Sequence, residues 1–140
     1  MRLLSLFSKS SPAFLPDCLT FYKYSDGFKL YQKIFTRLGI QFQILPVHLC
    51  SGFEIGDLGY TNDARKQARK VFTILNEYKI EKIIISSPES YKHFKLVYPT
   101  LLPDWNIEVL NLWEEIKIAL ERNPRIIVHK MNENVSFQDN

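Results

Sequence analysis

Cysteine is scarce in this chain of 140 residues, which contains only Cys18 and Cys50. Two cysteines are too few for the disulfide framework of a small secreted protein. No apolar run approaches the roughly 20 residues that cross a bilayer, and the apolar stretch within residues 1–7 is too short for a secretory signal. We therefore expect a cytoplasmic protein that does not insert into membranes.

The chain also lacks the usual signals for nucleotides and nucleic acids. Its net charge of +3 is only mildly basic, and without a clustered patch this predicts no nucleic-acid binding. Gly52, Gly56 and Gly59 do not match the dinucleotide fingerprint, and no glycine-rich phosphate loop is present. The overall composition, 46% hydrophobic and 24% charged, is typical of a globular protein, and the length of 140 residues suits one domain.

The order of hydrophobic patterns predicts alternating strands and helices. Residues 82–85 form an unalternating β-branched run, as in a central parallel strand, and the apolar spacing before Gly39 predicts a helix over 26–38. Further strands are predicted at 13–15, 41–47, 107–110 and 125–128, and further helices at 61–78, from Ser87 to Tyr98-Pro99, and at 111–120. This pattern favours a three-layer, Rossmann-like α/β domain with a mainly parallel sheet of four to five strands.

Several polar residues directly follow predicted strands. Cys18, Cys50, Ser51 and Ser87 occupy such positions, although they lie far apart in the sequence. In open α/β sheets, sites form beyond the carboxyl ends of the strands. We therefore expect these residues to meet at one edge of the sheet.

The spacing of these residues carries a family resemblance. The chain reads C-x31-C-S-G-x34-S-P-x-S from Cys18 to Ser90, and the segment Phe14-Leu-Pro-Asp-Cys18 precedes it. This layout resembles the cysteine-rich CCG domain of heterodisulfide reductase subunits B and D and related iron–sulfur oxidoreductases, over residues 13–129. By this resemblance, three of the five family cysteine positions hold serine, namely Ser51, Ser87 and Ser90.

The resemblance implies the position of an iron–sulfur cluster site, but also that this site has lost most of its cysteine ligands. In the family these five positions ligate an iron–sulfur cluster that works on thiol or disulfide substrates. Cluster iron is held by thiolates, so serine at three positions predicts a degenerate pocket without a cluster. We therefore expect a non-catalytic accessory or interaction subunit, with other redox-complex subunits or a separate CCG-containing chain as partners.

The resemblance also divides the chain. It implies that residues 13–122 form a CCG-like repeat and that residues 123–140 hold the truncated start of a second repeat and a polar tail. Pro124-Arg-Ile-Ile-Val-His129 is similar to the opening of such a repeat, but Lys130 and Met131 follow where its cysteine would stand.

Three other hypotheses remain open. Cys18 and Cys50 are candidate catalytic residues of a thiol–disulfide oxidoreductase or redox sensor, and they are also the candidate ligands of a residual metal site. With His48 they offer the thiolate and imidazole donors that zinc prefers. In the third hypothesis, a basic face of the 61–78 helix binds an acidic partner. His93 is expected on a helix surface, and His129 at a strand end.

Overall fold

The computed structural model describes residues 11–129 and 132–136. This part of the chain contains three strands and seven α-helices. In order they are β1 (Ala13–Leu15), α1 (Cys18–Tyr22), α2 (Ser25–Leu38), α3 (Phe53–Asp57), α4 (Thr61–Glu77), β2 (Lys82–Ile85), α5 (Pro88–Lys92), a π-helical segment (His93–Val97), α6 (Tyr98–Leu101), β3 (Glu108–Asn111), α7 (Leu112–Arg122) and a 3-10 turn (Pro124–Ile126).

The sheet is parallel, with strand order β1-β2-β3. Successive side chains of β2 point to opposite faces, so Ile83 and Ile85 join one core while Ile84 joins the other. On the first face α4 and the α5–α6 region contribute Ala68, Leu75, Phe94 and Tyr98. On the second face α2 and α7 pack Phe35 and Leu112 against Phe14. The predicted three-layer α/β fold is confirmed.

Several elements begin and end close to where the sequence predicts. The strand at 82–85 is confirmed, α2 ends directly before Gly39, and α4 closely matches the predicted 61–78 helix. Asn111 caps α7 as predicted, because its side chain accepts hydrogen bonds from the backbone N–H groups of Trp113 and Glu114. For these elements, local propensity and capping residues were therefore sufficient to predict the boundaries.

The prediction of four to five strands is wrong, because two predicted strands do not join the sheet in the described residues. In the 41–47 segment only Gln43 pairs, through a single parallel bridge to Ala13. Its neighbour β1 has just three residues and is followed by Pro16, which has no N–H to extend the ladder. At 125–128 the chain instead forms the turn that begins at Pro124, and Ile127 and Val128 remain exposed.

The helix after β2 also differs from its prediction. It was expected to end at Tyr98-Pro99, but α6 continues to Leu101. Pro99 falls in the first turn of α6, after the π-helical segment, where a missing N–H costs least. The short helices α1 and α3 were not predicted at all, because each has only five residues and little periodicity.

Some sequence predictions fall outside the described residues. The apolar stretch within residues 1–7 lies there, and so do residues 130–131 and 137–140 of the predicted tail. Residues 132–136 have no helix or strand and are exposed. The division into a repeat and a truncated second repeat stays a prediction. Within the described part of the chain, no helix combines the length and the apolar character needed to cross a bilayer.

Candidate functional site

The predicted site residues reach one edge of the sheet through three connections. Cys18 begins α1 just after β1, Ser87 follows β2, and Cys50 and Ser51 lie in the loop before α3. Asp17 fixes the first turn of α1, because its carboxylate accepts hydrogen bonds from the Thr20 N–H at 2.8 Å and from the Thr20 hydroxyl at 2.7 Å. Strands β1 and β2 thus deliver two of these connections at their carboxyl ends, and the loop before α3 supplies the third.

A cavity of about 260 Å³ lies where these connections meet. All five predicted site residues line it, and the acidic residues Asp17, Glu54 and Glu89 contribute to its wall; the complete lining is Asp17, Cys18, Leu19, Cys50, Ser51, Phe53, Glu54, Ser87, Glu89 and Ser90. We call this cavity the thiol pocket. Residues that are distant in the sequence therefore share one small site.

Both cysteines are free thiols. Both side chains line the same cavity, and Cys50 is among the groups that raise the pKa of Cys18. On the other side of Cys18, the His48 Nε2 atom lies 3.3 Å from its Sγ atom. The His48 ring is stacked on Phe21, with ring centroids 4.5 Å apart. The pocket thus contains a pair of neighbouring thiols, one of them beside an imidazole.

The electrostatic environment keeps Cys18 protonated. Desolvation, the hydrogen bond and charge of Cys50, and the nearby carboxylates of Glu54 and Asp17 raise the pKa of Cys18 to about 11. Burial lowers the pKa of His48, and the charge of Asp17 only partly opposes this effect. At neutral pH the pair is therefore a thiol beside a neutral imidazole, not a thiolate beside an imidazolium, which would be the activated form of a nucleophilic cysteine.

The three serines are engaged in hydrogen bonds. The hydroxyls of Ser51 and Ser90 are bonded to each other, with their Oγ atoms 3.0 Å apart in a buried position. The Ser87 hydroxyl accepts a hydrogen bond from the Ser90 N–H at 3.2 Å and donates one to the Glu89 carboxylate at 2.9 Å. Ser87 is thus the N-cap of α5, as its sequence predicted.

Two contacts that hold the Cys50 loop were missed by sequence reasoning. The buried Tyr98 hydroxyl donates to the Ser51 carbonyl at 2.9 Å, and the Gln67 side-chain amide donates to the Cys50 carbonyl at 2.8 Å. Gly52 then turns the loop with a φ of +72°, and a Cβ there would lie 2.8 Å from the Gln67 side chain. Neither Tyr98 nor Gln67 belongs to a motif, so only tertiary structure reveals their roles.

The prediction for His93 is wrong, since this residue is not on a helix surface. It is only 4% exposed and packs edge-on against Tyr98. Its Nε2 atom has no hydrogen-bond partner among the described residues, and burial lowers its pKa despite the charge of Asp57. His93 begins the π-helical segment His93–Val97, which turns this side chain inward. His129 was expected at a strand end, but the residues before it form a 3-10 turn and no strand, and His129 is exposed.

The described residues contain no group of three or more His, Cys, Asp or Glu side chains arranged to hold a metal ion.

The basic face of α4 is partly neutralised, because Arg69 pairs with Asp104 at 2.6 Å and Lys66 with Asp63 at 3.2 Å. Lys70 instead lines a second cavity, of about 270 Å³, which also reaches Cys50 and is lined by His48 and Gln67.

Comparison with known families matches residues 13–95 to the model of CCG, the cysteine-rich domain. Searches of curated proteins and of solved structures gave no match. The matched segment covers more than half of the chain and contains all five residues of the predicted site. The chain therefore belongs to the CCG cysteine-rich domain family, a redox-related family.

Proposed function

We propose that this protein is a cluster-less relative of the heterodisulfide reductase B-type domain, and that it acts as a cytoplasmic accessory or interaction subunit of a redox complex rather than as an enzyme. One observation carries the proposal. The pocket at the end of the sheet offers only two thiols, from Cys18 and Cys50, while Ser51, Ser87 and Ser90 complete it with hydroxyls.

The donor chemistry of this pocket does not fit an iron–sulfur cluster. Clusters are held by thiolates, and a serine hydroxyl is far less acidic than a thiol. Ser51 and Ser90 also bind each other, and Ser87 caps α5. A cluster would have to break both arrangements in return for poor ligands, and metal affinity falls when thiolate ligands are lost. The serines therefore fill the place of a cluster and stabilise the loops around it.

The state of the thiols also supports a non-catalytic role. The raised pKa of Cys18 leaves it protonated at neutral pH, whereas reactive cysteines are usually thiolates at that pH. Leu19 lines the pocket and its side chain is 52% exposed, and Tyr22, whose ring packs against His48, is 71% exposed. Exposed aromatic side chains are enriched where proteins bind each other. This surface is the proposed contact with other redox-complex subunits or with a separate CCG-containing chain.

Anaerobic reconstitution tests the proposal. The purified protein is incubated with ferrous iron, sulfide and reductant, desalted, and examined by visible absorption. We expect no cluster absorption, because two thiols cannot supply the ligands. A stable chromophore with a near-stoichiometric amount of iron would reject the cluster-less assignment.

A second candidate function follows from the proximity of the two thiols. Cys18 and Cys50 line the same cavity, so the proposal includes a reversible disulfide between them, as in a redox sensor or thiol–disulfide oxidoreductase. Disulfides of cytosolic proteins are usually transient and redox-sensing. The oxidised and reduced proteins should then differ by the mass of two hydrogen atoms. Cys50→Ser is the control and should show no such difference; its absence in the natural sequence as well would exclude this candidate.

A further inference from the structure

The wall of the thiol pocket carries charge of one sign. Asp17, Glu54 and Glu89 line it together with the two thiols, and no lysine or arginine does. The thiols are groups that can react with a bound molecule, and the carboxylates favour the entry of molecules that carry positive charge.

These carboxylates are not neutralised by cationic side chains. None of the three forms an ion pair with a lysine or arginine of residues 11–129 and 132–136. Asp17 accepts hydrogen bonds from Thr20, and Glu89 accepts one from Ser87, but these donors are uncharged. Glu54, on α3, is exposed. The pocket therefore keeps a negative potential.

The potential reaches the reacting sulfur. The charges of Glu54 and Asp17 are both among the causes that raise the pKa of Cys18. Cys18 is exposed, and Cys50 is half-buried and also borders the second cavity, which Lys70 lines. Cys18 does not line that second cavity. A molecule that reacts with Cys18 therefore enters along the acidic wall.

We propose that the thiol pocket reacts selectively with positively charged disulfides, namely small disulfides with ammonium groups. This inference rests on the reversible Cys18–Cys50 disulfide proposed above and names the class of its oxidant. A cleft of one sign raises the local concentration and association rate of oppositely charged molecules. The cavity of about 260 Å³ has room for one arm of such a molecule.

The reaction is an ordinary thiol–disulfide exchange. The Cys18 thiol passes its proton to His48 Nε2, which lies 3.3 Å from its sulfur, and His48 releases the proton to solvent. The Cys18 thiolate attacks one sulfur of the disulfide and expels the first thiolate, which takes a proton from solvent. The Cys50 thiol then loses its proton to solvent, and its thiolate attacks the Cys18 sulfur of the mixed disulfide and expels the second thiolate, which is protonated in turn. The protein loses two electrons and two protons, and the disulfide becomes two thiols.

Three small disulfides test the inference because they differ in charge: dicationic cystamine, neutral bis(2-hydroxyethyl) disulfide and dianionic dithiodiglycolate. Rates of disulfide formation are measured at about pH 8, and each is divided by the rate of the same reagent with dithiothreitol to remove differences in leaving group. The measurements are repeated at about 20 mM and about 500 mM salt, because high salt screens exposed charges. Glu54→Gln removes one carboxylate of the wall. Glu77→Gln is the matched control, since Glu77 is exposed at the end of α4 and does not line the pocket.

At low salt the normalised rate should be roughly tenfold higher with cystamine than with the dianion. High salt and Glu54→Gln should each reduce this preference, and Glu77→Gln should leave it unchanged. Equal normalised rates would overturn the charge selection alone. Faster reaction with the dianion would also overturn it, and would indicate entry from the side of Lys70. Failure of all three reagents to form the disulfide would instead remove the redox pair and, with it, this inference.

Discussion

Tyr98 connects the sheet-covering helices to the thiol pocket through one hydroxyl. It is fully buried, and its hydroxyl donates to the Ser51 carbonyl at 2.9 Å. Tyr98→Phe removes this donor and leaves the carbonyl without that partner, while the ring remains in the core. We expect a loss of about 1–2 kcal/mol in the free energy of unfolding, measured by urea denaturation.

Tyr24→Phe is the matched control, because Tyr24 is 60% exposed and loses only a solvated hydroxyl. Its free energy of unfolding should change by less than about 0.5 kcal/mol. Equal effects of the two substitutions would show that the Tyr98 hydrogen bond does not stabilise the loop.

Because of Cys18, the free energy of unfolding should depend on pH in the alkaline range. Its pKa rises from 9.0 to about 11 on folding, first because of desolvation and then because of Cys50, Glu54 and Asp17. The folded protein holds this proton more tightly than the unfolded chain does. The resulting stabilisation is complete below the unfolded pKa of 9.0 and is lost as the pH rises through the folded pKa of about 11.

Urea denaturation at several pH values, under reducing conditions, measures this effect as the difference between the natural protein and Cys18→Ser. The difference should shrink as the pH rises from the unfolded towards the folded pKa, because serine does not titrate in this range. A difference that is independent of pH would mean that Cys18 has the same pKa in both states.

At the scale of elements, the π-helical segment His93–Val97 lies between α5 and α6 and places His93 in the interior. The His93 ring contacts α3, since a Cβ added to Gly56 would lie 3.0 Å from its Cε1 atom. Such π-helical turns are often found at functional sites. Here the turn brings an imidazole without an Nε2 partner among the described residues beneath the helix that follows the Cys50 loop.

This placement makes the structure sensitive to mild acid. Burial lowers the pKa of His93 below its ordinary value of 6.5, and Asp57 opposes this only in part. The unfolded chain therefore takes up the proton first as the pH falls, so folding stability should decrease as the pH drops below 6.5. His93→Asn should weaken this dependence. Urea denaturation at neutral and mildly acidic pH measures it.

His48 provides the comparison, since its pKa is lowered as well but its ring lies at the pocket and is only partly buried. His48→Asn should leave the contribution of His93 in place. If His93→Asn retains the full acid sensitivity of the natural protein, His93 does not cause it.

The sequence predicts elements best where local signals agree. Residues 82–85 combine β-branched side chains with a following serine cap, and both the strand and the cap are confirmed. The segment 41–47 has a similar apolar character but pairs only at Gln43, because a strand requires a neighbour of matching length and β1 is short. The β-propensity of a segment shows that it can form a strand, but it becomes one only where a sheet edge of sufficient length is available to pair with it.

At the scale of the whole molecule, parallel topology explains why the candidate site was partly visible in the sequence. Carboxyl ends of parallel strands share one edge, so residues after β1 and β2 had to lie near each other. The acidic wall, the contacts of Gln67 and Tyr98, and the buried position of His93 depend on how α3, α4 and α6 pack. None of these follows from spacing along the chain.

In the proposed function, the donor set of the pocket, and not its shape, prevents a cluster from binding. Ser51, Ser87 and Ser90 line the pocket beside both thiols. A triple variant with Ser51→Cys, Ser87→Cys and Ser90→Cys would give the pocket five thiols. It is therefore the matched partner of the natural sequence in a test of the central claim.

The most direct test is the number of iron atoms per chain after anaerobic reconstitution of the two proteins side by side. The account predicts background iron for the natural sequence and sulfide-dependent iron for the triple variant, because thiolates hold cluster iron. Several iron atoms per chain in the natural protein, retained after desalting, would contradict it.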